Sequence, residues 1–360
     1  MTLSLVFIAI LFGFSLYNLV TAIRLEVPRK QTVQPLAKLR KRVSLLIPVR
    51  NEAQNLPALV RCLGQIDYSP LEILILDDES TDDSYRILQS SGYVALRGRP
   101  TPSGWVGKNW ACHQLTEAAT GDLLLFCDAD VTITPRAVAD TVNRMEEYHA
   151  KALTALPRQL MQSWSEKAVI PLVMHQSVVG TLPLNLLHRL SSPSLLVCNG
   201  QWLCIDRAAY FSVGGHQRVK DSFVEDMALG RELKRAGYPL LTVVAARSLE
   251  VRMYKDWPAL KEGFTKNLYP LMGGNLPLFS LCLLLFVYAN GVSLLSLTGF
   301  LLLLLNRLIV ARLFRTSAGS VLFHPIGLVT VLYLSICSLA KTKWGAISWK
   351  GRETVHRVTK

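Results

Sequence analysis

Apolar and polar positions divide this chain into uncharged blocks near its two ends and a region of short alternating runs between them. Residues 3–23 contain no charged side chain. At about 1.5 Å per residue, this stretch can cross a hydrocarbon core of about 30 Å. No basic residue precedes it, and it is longer than the apolar region of a cleaved signal peptide. The pattern therefore favours a retained membrane anchor.

Two further apolar blocks lie near the other end of the chain, at 276–305 and 321–340. The first is long for one span and has Asn290 and Gly291 in its middle, which predicts a helical hairpin turning there. A single tilted helix is the alternative. The pattern predicts two or three spans after the N-terminal anchor.

The region between the blocks shows the alternation of an α/β domain. Short runs rich in apolar residues are typical of buried strands, at 43–48, 71–76, 93–96 and 123–128. Segments between them predict helices, at about 56–65, 82–89 and 108–119. This order favours a mostly parallel sheet with right-handed crossovers. We predict an anchor, a basic linker, an α/β domain, a transmembrane region and a basic tail, at 1–24, 25–42, 43–270, 271–341 and 342–360.

The formal net charge of the 360 residues is +13 at pH 7, and much of it lies beside the apolar blocks. Anionic lipid attracts Lys and Arg there, so the charge needs no nucleic-acid partner. By the positive-inside rule the basic linker is cytoplasmic, which predicts a cytoplasmic α/β domain. The stretch 307–315 and the tail are both basic. Whether the last apolar block spans the membrane or is re-entrant therefore stays open.

Carboxylates follow two of the predicted strands: Asp77 and Asp78 follow one, and Asp128 and Asp130 follow another. The carboxyl ends of parallel strands meet at one edge of an open α/β sheet, where ligands bind. Oxygen ligands at that edge suit Mg²⁺ or Mn²⁺, which bridges carboxylates to a substrate's phosphates. An acidic turn that caps the next helix is the alternative, and an Asp-x-Asp motif alone does not decide between them.

Two further motifs lie at predicted helix starts. Residues 104–109 form a glycine-bracketed turn that brings Lys108 to a helix N-terminus, where lysine and backbone N–H groups attract phosphate. The turn lacks the Walker pattern, which argues against ATP hydrolysis. Glu225 and Asp226 open another helix. Acids there favour the helix dipole, and a carboxylate there could equally act as a general base.

These motifs, in this order and spacing, resemble those of the family 2 glycosyltransferases. They are VSLLIPVRNEAQNL at 43–56, LDDESTDDS at 76–84, GWVGKNWA at 104–111, CDADV at 127–131 and VEDMALGRELKRAG at 224–237. The resemblance covers roughly residues 40–270. It implies a GT-A fold, an α/β nucleotide-sugar-binding domain with a mixed, mostly parallel sheet, and an inverting transfer. The membrane anchors and the segments at 251–271 and 348–353 look most like bacterial carotenoid and related lipid glycosyltransferases, which implies an integral protein of the bacterial cell membrane.

The resemblance also implies roles for matching residues. The residues implied to border or contact the donor are Pro48, Val49, Asn51, Glu52, Asp77, Asp78, Lys108 and Asp128. Asp78 would contact the uracil of a UDP-sugar, and Asp128 would hold the ribose side. Asp130, with Asp128, would ligate Mg²⁺ or Mn²⁺. Asp226 would be the catalytic base with Glu225 beside it, and the metal would assist direct displacement at the anomeric carbon.

Candidate acceptor contacts are Asn199, Gly200, Gln201, Trp202, Arg252, Lys350 and Arg352. Trp202 could equally be packed core, and the basic residues could be ordinary membrane-flank side chains. The Gln-x-x-Arg-Trp motif of processive polysaccharide synthases is absent after Asp226. Its absence favours a single transfer to a lipid hydroxyl or carboxyl.

The sequence therefore predicts an enzyme that moves a hexose, glucose by preference, from a UDP-sugar to a membrane lipid such as a carotenoid or carotenoid acid. A hopanoid, a sphingolipid-like lipid or a glycerolipid is the alternative acceptor. A non-catalytic membrane scaffold that keeps the sugar-nucleotide fold is the alternative function. The acids at 128, 130 and 226 favour the enzyme, because a scaffold needs none of them.

Overall fold

The computed structural model describes residues 2–27, 41–272, 274–344, 347–349 and 352–354, the last two segments by their backbone only. The chain divides into two compact units. We call residues 23–158 and 185–251 the sheet unit, and residues 1–22, 159–184 and 252–360 the helical unit. Lys350 and most of the basic linker, residues 28–40, lie outside the described residues.

A mixed sheet forms the centre of the sheet unit. Across the described residues its strands follow the spatial order β3 (Val94–Arg97), β2 (Leu71–Asp77), β1 (Val43–Val49), β4 (Leu123–Cys127), β8 (Trp202–Asp206), β6 (Ala152–Leu156) and β9 (Leu240–Val244). Strands β3, β2, β1 and β4 are parallel, and β6 is parallel to β9. Strand β8 is antiparallel to both of its neighbours. The predicted mixed, mostly parallel sheet is confirmed.

Helices and a small sheet complete this unit. Strands β5 (Val131–Ile133), β10 (Leu249–Val251) and β7 (Arg158–Gln159) lie side by side in that order. The helices are α2 (Leu56–Leu63), α3 (Ser84–Gln89), α4 (Gly107–Ala118), α5 (Ala137–Glu147), α8 (Arg207–Ser212), α9 (Gly215–Arg218) and α10 (Glu225–Arg235), and a 3₁₀ helix spans Leu184–Arg189. Between residues 43 and 128, the predicted bounds agree with these to within two residues.

The central strands are nearly continuous apolar runs because they are buried on both faces. Every residue of β4 is buried, and Ser44 is a buried polar residue of β1. The Ser44 hydroxyl donates to the carboxylate of Glu72 and accepts from the backbone N–H of Gly121 at 2.8 Å. Ser44 therefore joins β1 to β2 and to the turn before β4.

The helical unit contains the long apolar helices. Its helices are α1 (Thr2–Thr21), α6 (Trp164–Ile170), α7 (Ser177–Val179), α11 (Trp257–Leu271), α12 (Leu276–Asn290), α13 (Leu297–Phe314) and α14 (His324–Trp344). A π-helical segment, Pro171–Gln176, continues α6, and 3₁₀ segments at Val292–Leu295 and Ala318–Phe323 precede α13 and α14. Strands β11 (Ile347–Trp349) and β12 (Arg352–Thr354) form an antiparallel pair.

Among the described residues, four stretches are long and apolar enough to cross a membrane: Leu3–Thr21, Leu276–Leu295, Leu297–Phe314 and Ala318–Trp344. Helix α12 ends at Asn290, where the sequence predicted a turn, and Gly291 is its C-cap. The apolar block 276–305 is therefore interrupted, as the hairpin interpretation requires, and is not one tilted helix.

Gly121 offers a direct test of packing around β1. A Cβ added there would lie 2.6 Å from the Ser44 backbone nitrogen and 3.0 Å from the Arg42 carbonyl oxygen. We expect Gly121→Ala to lower the free energy of unfolding by about 1–3 kcal/mol, because the backbone must shift to admit the methyl group. Gly64→Ala is the matched control, since its Cβ would meet nothing closer than 3.6 Å. Equal thermal unfolding midpoints for the two variants would contradict this packing.

Candidate active site

Hydrogen bonds tie together the loops that follow β1 and β2. Asn51, at a positive φ of 54°, accepts at Oδ1 from the backbone N–H of Thr81 at 2.8 Å. The backbone N–H groups of Asn51 and Glu52 donate to the hydroxyls of Ser80 and Ser84 at 3.0 and 2.8 Å. The polar run after β2 therefore holds the loop after β1 in place at the carboxyl edge of the sheet.

Asp77 is the last residue of β2 and Asp78 follows it, and both are buried. The N–H of Asp78 donates to the Val49 carbonyl at 2.7 Å, and Asp77 Oδ2 accepts from the Ser80 N–H at 3.3 Å. The Arg50 guanidinium donates to the Asp78 carbonyl at 2.6 Å. The structure thus gathers one group of predicted donor contacts at the ends of β1 and β2, namely Pro48, Val49, Asn51, Glu52, Asp77 and Asp78.

Lys108 is the centre of an ion-pair cluster. It is the second residue of α4, and its Nζ lies 2.8 Å from Asp128 Oδ1 and 2.9 Å from Glu225 Oε1. Asp128 directly follows β4, and Glu225 is the first residue of α10. Burial disfavours the ammonium, but the two carboxylates outweigh burial and hold the pKa of Lys108 well above its ordinary value. The side chain is therefore a permanent cation at neutral pH.

Asp226 lies next to this cluster. Its Oδ2 accepts from the backbone N–H of Gly200 at 2.8 Å, and its Oδ1 accepts from the N–H of Met227 at 2.7 Å. Burial and the neighbouring charge of Glu225 raise the pKa of Asp226 to about 6, against the opposing effect of Lys108. A carboxylate of this kind is ionised at neutral pH and more basic than an ordinary aspartate, which suits it to accept a proton.

A pocket in the sheet unit brings these groups together. Its polar lining includes Lys108, Asp128, Glu225 and Asp226, with Gly200 beside them. A Cβ added at Gly200 would lie 3.4 Å from both Lys108 Nζ and Glu225 Oε1, so glycine leaves the charged groups open to the pocket. The predicted residues from three distant motifs therefore share one site.

Two cysteines also line the pocket, Cys112 and Cys127. Burial raises the pKa of both thiols well above the ordinary value. Because the thiolate is the reactive form, neither residue is an activated nucleophile at neutral pH. The site therefore offers a base and a cation, and its cysteines do not favour a covalent intermediate.

Asn109 has a positioning role that the sequence reasoning missed. Its buried Nδ2 donates to the carbonyls of Val219, Lys220 and Ser222 at 2.9, 3.1 and 2.9 Å. Since Asn109 follows Lys108 directly, the start of α4 holds both the ammonium and the loop that leads into α10. The only signal in the sequence was its place in the Gly-Lys-Asn motif.

His216 is a second pocket residue that the sequence reasoning did not select. Its Nδ1 lies 2.8 Å from the hydroxyl of Tyr210, whose oxygen also accepts from the His216 backbone N–H at 2.9 Å. Burial lowers the pKa of His216 to about 4, so its ring is neutral at neutral pH. The ring therefore contributes shape and hydrogen-bonding capacity to the pocket without adding charge.

Asp128 and Asp130 are the residues that would hold a divalent metal. Both are partly exposed just beyond β4, and Asp128 lines the pocket. Within the described ranges, no three His, Cys, Asp or Glu side chains form a complete metal site. Two carboxylates still fit Mg²⁺ or Mn²⁺, because such ions take further ligands from water and substrate phosphates. The pair therefore suits an ion that binds together with a phosphate-bearing donor.

The predicted acceptor residues near β8 differ in what surrounds them. Gly200 borders the pocket, and Asn199 Nδ2 donates to Gln201 Oε1 at 3.1 Å. Trp202 is 0% exposed, and its indole N–H donates to Thr141 Oγ1 at 2.9 Å. Trp202 is therefore a core residue, the alternative that the sequence left open, and this corrects its place among the acceptor contacts.

Arg252 and Arg352, two further acceptor candidates, belong to the helical unit. The Arg252 guanidinium donates to the two carboxylate oxygens of Glu166 at 3.0 and 3.2 Å, and Glu166 forms a capping box with Ser163 at the start of α6. Arg252 is thus engaged in a structural ion pair. Arg352 lies in β12 with only its backbone described, and Lys350 lies outside the described residues.

Known proteins resemble this chain in sequence and in fold. Residues 44–171 match the family Glycosyl transferase family 2. The 4,4'-diaponeurosporenoate glycosyltransferase of Staphylococcus aureus (strain USA300) is 23% identical over 338 residues, covering 87% of this chain and 88% of that protein. The solved mannosyltransferase of Pyrobaculum calidifontis, in complex with GDP-Man and Mn²⁺, has a TM-score of 0.57 and 18% identity, covering 95% of this chain and 98% of its own. The structural match shows that the fold is GT-A-like.

The cluster around Lys108 can be tested by removing its charge. We expect Lys108→Met to lower the free energy of unfolding by roughly 1–2 kcal/mol, because Asp128 and Glu225 lose their counter-charge in a partly buried place. Lys151→Met is the matched control: Lys151 pairs with Asp206 at 3.1 Å, and its side chain is 46% exposed. That loss should stay under about 0.5 kcal/mol. Chemical unfolding measures both free energies. Equal decreases in the free energy of unfolding for Lys108→Met and Lys151→Met would contradict the role assigned to Lys108.

Proposed function

We propose that this chain, whose residues 44–171 match the family Glycosyl transferase family 2, is an inverting enzyme that moves a hexose, glucose by preference, from a UDP-sugar to a membrane lipid. The observation that supports the proposal most is the single pocket in which Lys108, Asp128, Glu225 and Asp226 meet. A permanent cation for phosphate and a carboxylate of raised pKa are the two groups that such a transfer needs from the protein.

The donor would bind along the carboxyl edge of the sheet. The loops after β1 and β2 would border the nucleoside, with Asp78 at the uracil, and Asp128 would hold the ribose side. Lys108 would contact the diphosphate, and its raised pKa means that it needs no change of protonation to do so. When bound, Mg²⁺ or Mn²⁺ held by Asp130 with Asp128 would neutralise the charge that develops on the departing UDP.

Asp226 would act as the general base. It would take the proton from the acceptor oxygen as that oxygen attacks the anomeric carbon on the face opposite the diphosphate. The new bond joins the acceptor oxygen to the anomeric carbon, the bond from that carbon to the phosphate oxygen breaks, and the configuration inverts. Glu225 would support the base in two ways: it pairs with Lys108, and its charge raises the pKa of Asp226.

The acceptor would be a lipid dissolved in the membrane. The candidate spans support this, and so does the absence of a processive-synthase motif after Asp226. Similarity to a protein named for action on diaponeurosporenoate favours a carotenoid acid over a hopanoid, a sphingolipid-like lipid or a glycerolipid. The basic linker supports a bacterial membrane protein whose sheet unit faces the cytoplasm.

A transfer assay tests the enzyme directly. Membranes containing the chain, radiolabelled UDP-glucose, Mn²⁺ and a bacterial lipid extract should give a labelled lipid whose sugar has the opposite anomeric configuration. Asp226→Asn should lower the rate by at least about 100-fold, because the base is lost. Asp221→Asn, at an exposed carboxylate just before α10, is the matched control and should leave the rate unchanged. No transfer by the wild type, or equal rates for Asp226→Asn and the wild type, would overturn the proposal.

The pH dependence of the rate tests the raised pKa of Asp226. The base acts only when deprotonated, so the rate should fall as the pH drops through about 6, the pKa of Asp226. Glu225→Gln removes a negative charge that raises this pKa, so the acid limb should move to lower pH, whatever its effect on the maximal rate. The profile of Asp221→Asn should match that of the wild type. If Glu225→Gln left the acid limb of the pH–rate profile at the same pH, the limb would report the titration of a group other than Asp226.

A further inference from the structure

Buried asparagines in the candidate spans of the helical unit differ in whether their amides are hydrogen-bonded. In α1, Nδ2 of the buried Asn18 donates to the Val179 and Leu182 carbonyls at 2.7 Å each, and its Oδ1 accepts from the Leu184 N–H at 2.9 Å. In α13, Asn306 is 0% exposed, and neither atom of its amide has a hydrogen-bond partner among the described residues. Since buried polar groups are normally paired, Asn306 requires an explanation that Asn18 does not.

Arg307, the next residue of α13, is 2% exposed. Its Nη2 donates to the Ser320 carbonyl at a long 3.3 Å, while its Nε and Nη1 have no hydrogen-bond partner in the described part of the chain. No carboxylate within those residues pairs with it. Burying a guanidinium without a counter-charge is costly, and an ionisable residue inside a span usually marks a function.

A π-helical segment, Pro171–Gln176, turns two consecutive polar residues into the interior of the same unit. The ring of His175 stacks on Phe314 of α13 with centroids 4.0 Å apart, and neither of its nitrogens has a hydrogen-bond partner among the described residues. Gln176 donates to Asn290 Oδ1 at 2.5 Å. A π-helical turn in an α-helix re-aims side chains and occurs often at functional sites.

His175 lies within the electrostatic reach of Arg307. Burial, together with the charge of Arg307, lowers the pKa of His175 to about 3, so the imidazole is neutral and keeps one N–H donor. Asn306, the residue before Arg307, and His175 thus supply hydrogen-bond donors and no negative charge. Such a set of groups is complementary to an anion.

We propose that Arg307, Asn306 and His175 form a binding site for the oxyanion of a membrane lipid, either a carboxylate or a phosphate. Arg307 supplies the charge, and the amide of Asn306 and the imidazole of His175 supply neutral donors. The position of Arg307 in the candidate span Leu297–Phe314 favours a ligand that partitions into lipid. The anion would replace the long contact to Ser320, which belongs to the 3₁₀ segment Ala318–Phe323. This site lies outside the proposed transfer chemistry and does not depend on it.

Reconstitution of the full chain into vesicles tests this site. We would compare phosphatidylcholine alone with phosphatidylcholine containing phosphatidylglycerol or oleate, and follow the thermal unfolding midpoint. Either phosphatidylglycerol or oleate should raise the unfolding midpoint of the wild type by roughly 5 °C above its value in phosphatidylcholine alone, because a ligand that binds the folded state stabilises it. Arg307→Gln should lose this rise. Arg312→Gln, at an exposed arginine of the same helix, should keep it.

The identity of the effective lipid distinguishes a phosphate from a carboxylate. An equal rise for Arg307→Gln and the wild type would overturn the proposal, since it would reflect general attraction of the basic chain to an anionic surface. Native mass spectrometry keeps the test independent of how Arg307→Gln folds. Wild-type protein released from vesicles containing both anionic lipids should retain one anionic lipid, and Asn306→Leu should retain less. Wild type that retains none would also overturn the proposal.

Discussion

The ammonium of Lys108 holds the candidate site together. Asp128 follows β4, whereas Glu225 and Asp226 open α10 about 100 residues later, and their negative charges would repel one another in a shared pocket without a cation. Lys108 forms ion pairs with Asp128 and Glu225. Its neighbour Asn109 donates to the carbonyl of Val219 and so fixes the loop that leads into α10. The start of α4 therefore sets the position of Asp128, which follows β4, relative to Glu225 and Asp226 of α10.

Much of this site could be predicted from local patterns. Apolar runs ending in acids located the ends of β2 and β4, and glycines around Lys108 located the start of α4. The contacts of Asn109 and His216 could not be predicted in this way. Asn109 binds carbonyls 110 to 113 residues away, and the pocket place of His216 depends on how the whole sheet unit packs. Residue patterns report local structure, whereas these roles depend on long-range packing.

The helical unit shows the same limit more sharply. The sequence identified 307–315 as a basic stretch, but it did not show that Arg307 is buried; in the structure α13 reaches Phe314 and Arg307 is 2% exposed. The sequence pattern also did not predict the π-helical segment that places His175 against Phe314 of α13. The ammonium of Lys108 forms ion pairs with two carboxylates of the chain, whereas the guanidinium of Arg307 forms no ion pair with a carboxylate among the described residues. We therefore assign its counter-charge to a lipid.

A structure of the full chain with UDP and Mn²⁺ in a lipid nanodisc tests the central claim most directly. The account predicts the ion at Asp130 and Asp128, the diphosphate at Lys108, and the carboxylate of Asp226 directed at the space that the hexose would fill. A nucleotide bound away from Lys108, or an Asp226 carboxylate separated from the nucleotide by the protein interior, would contradict it.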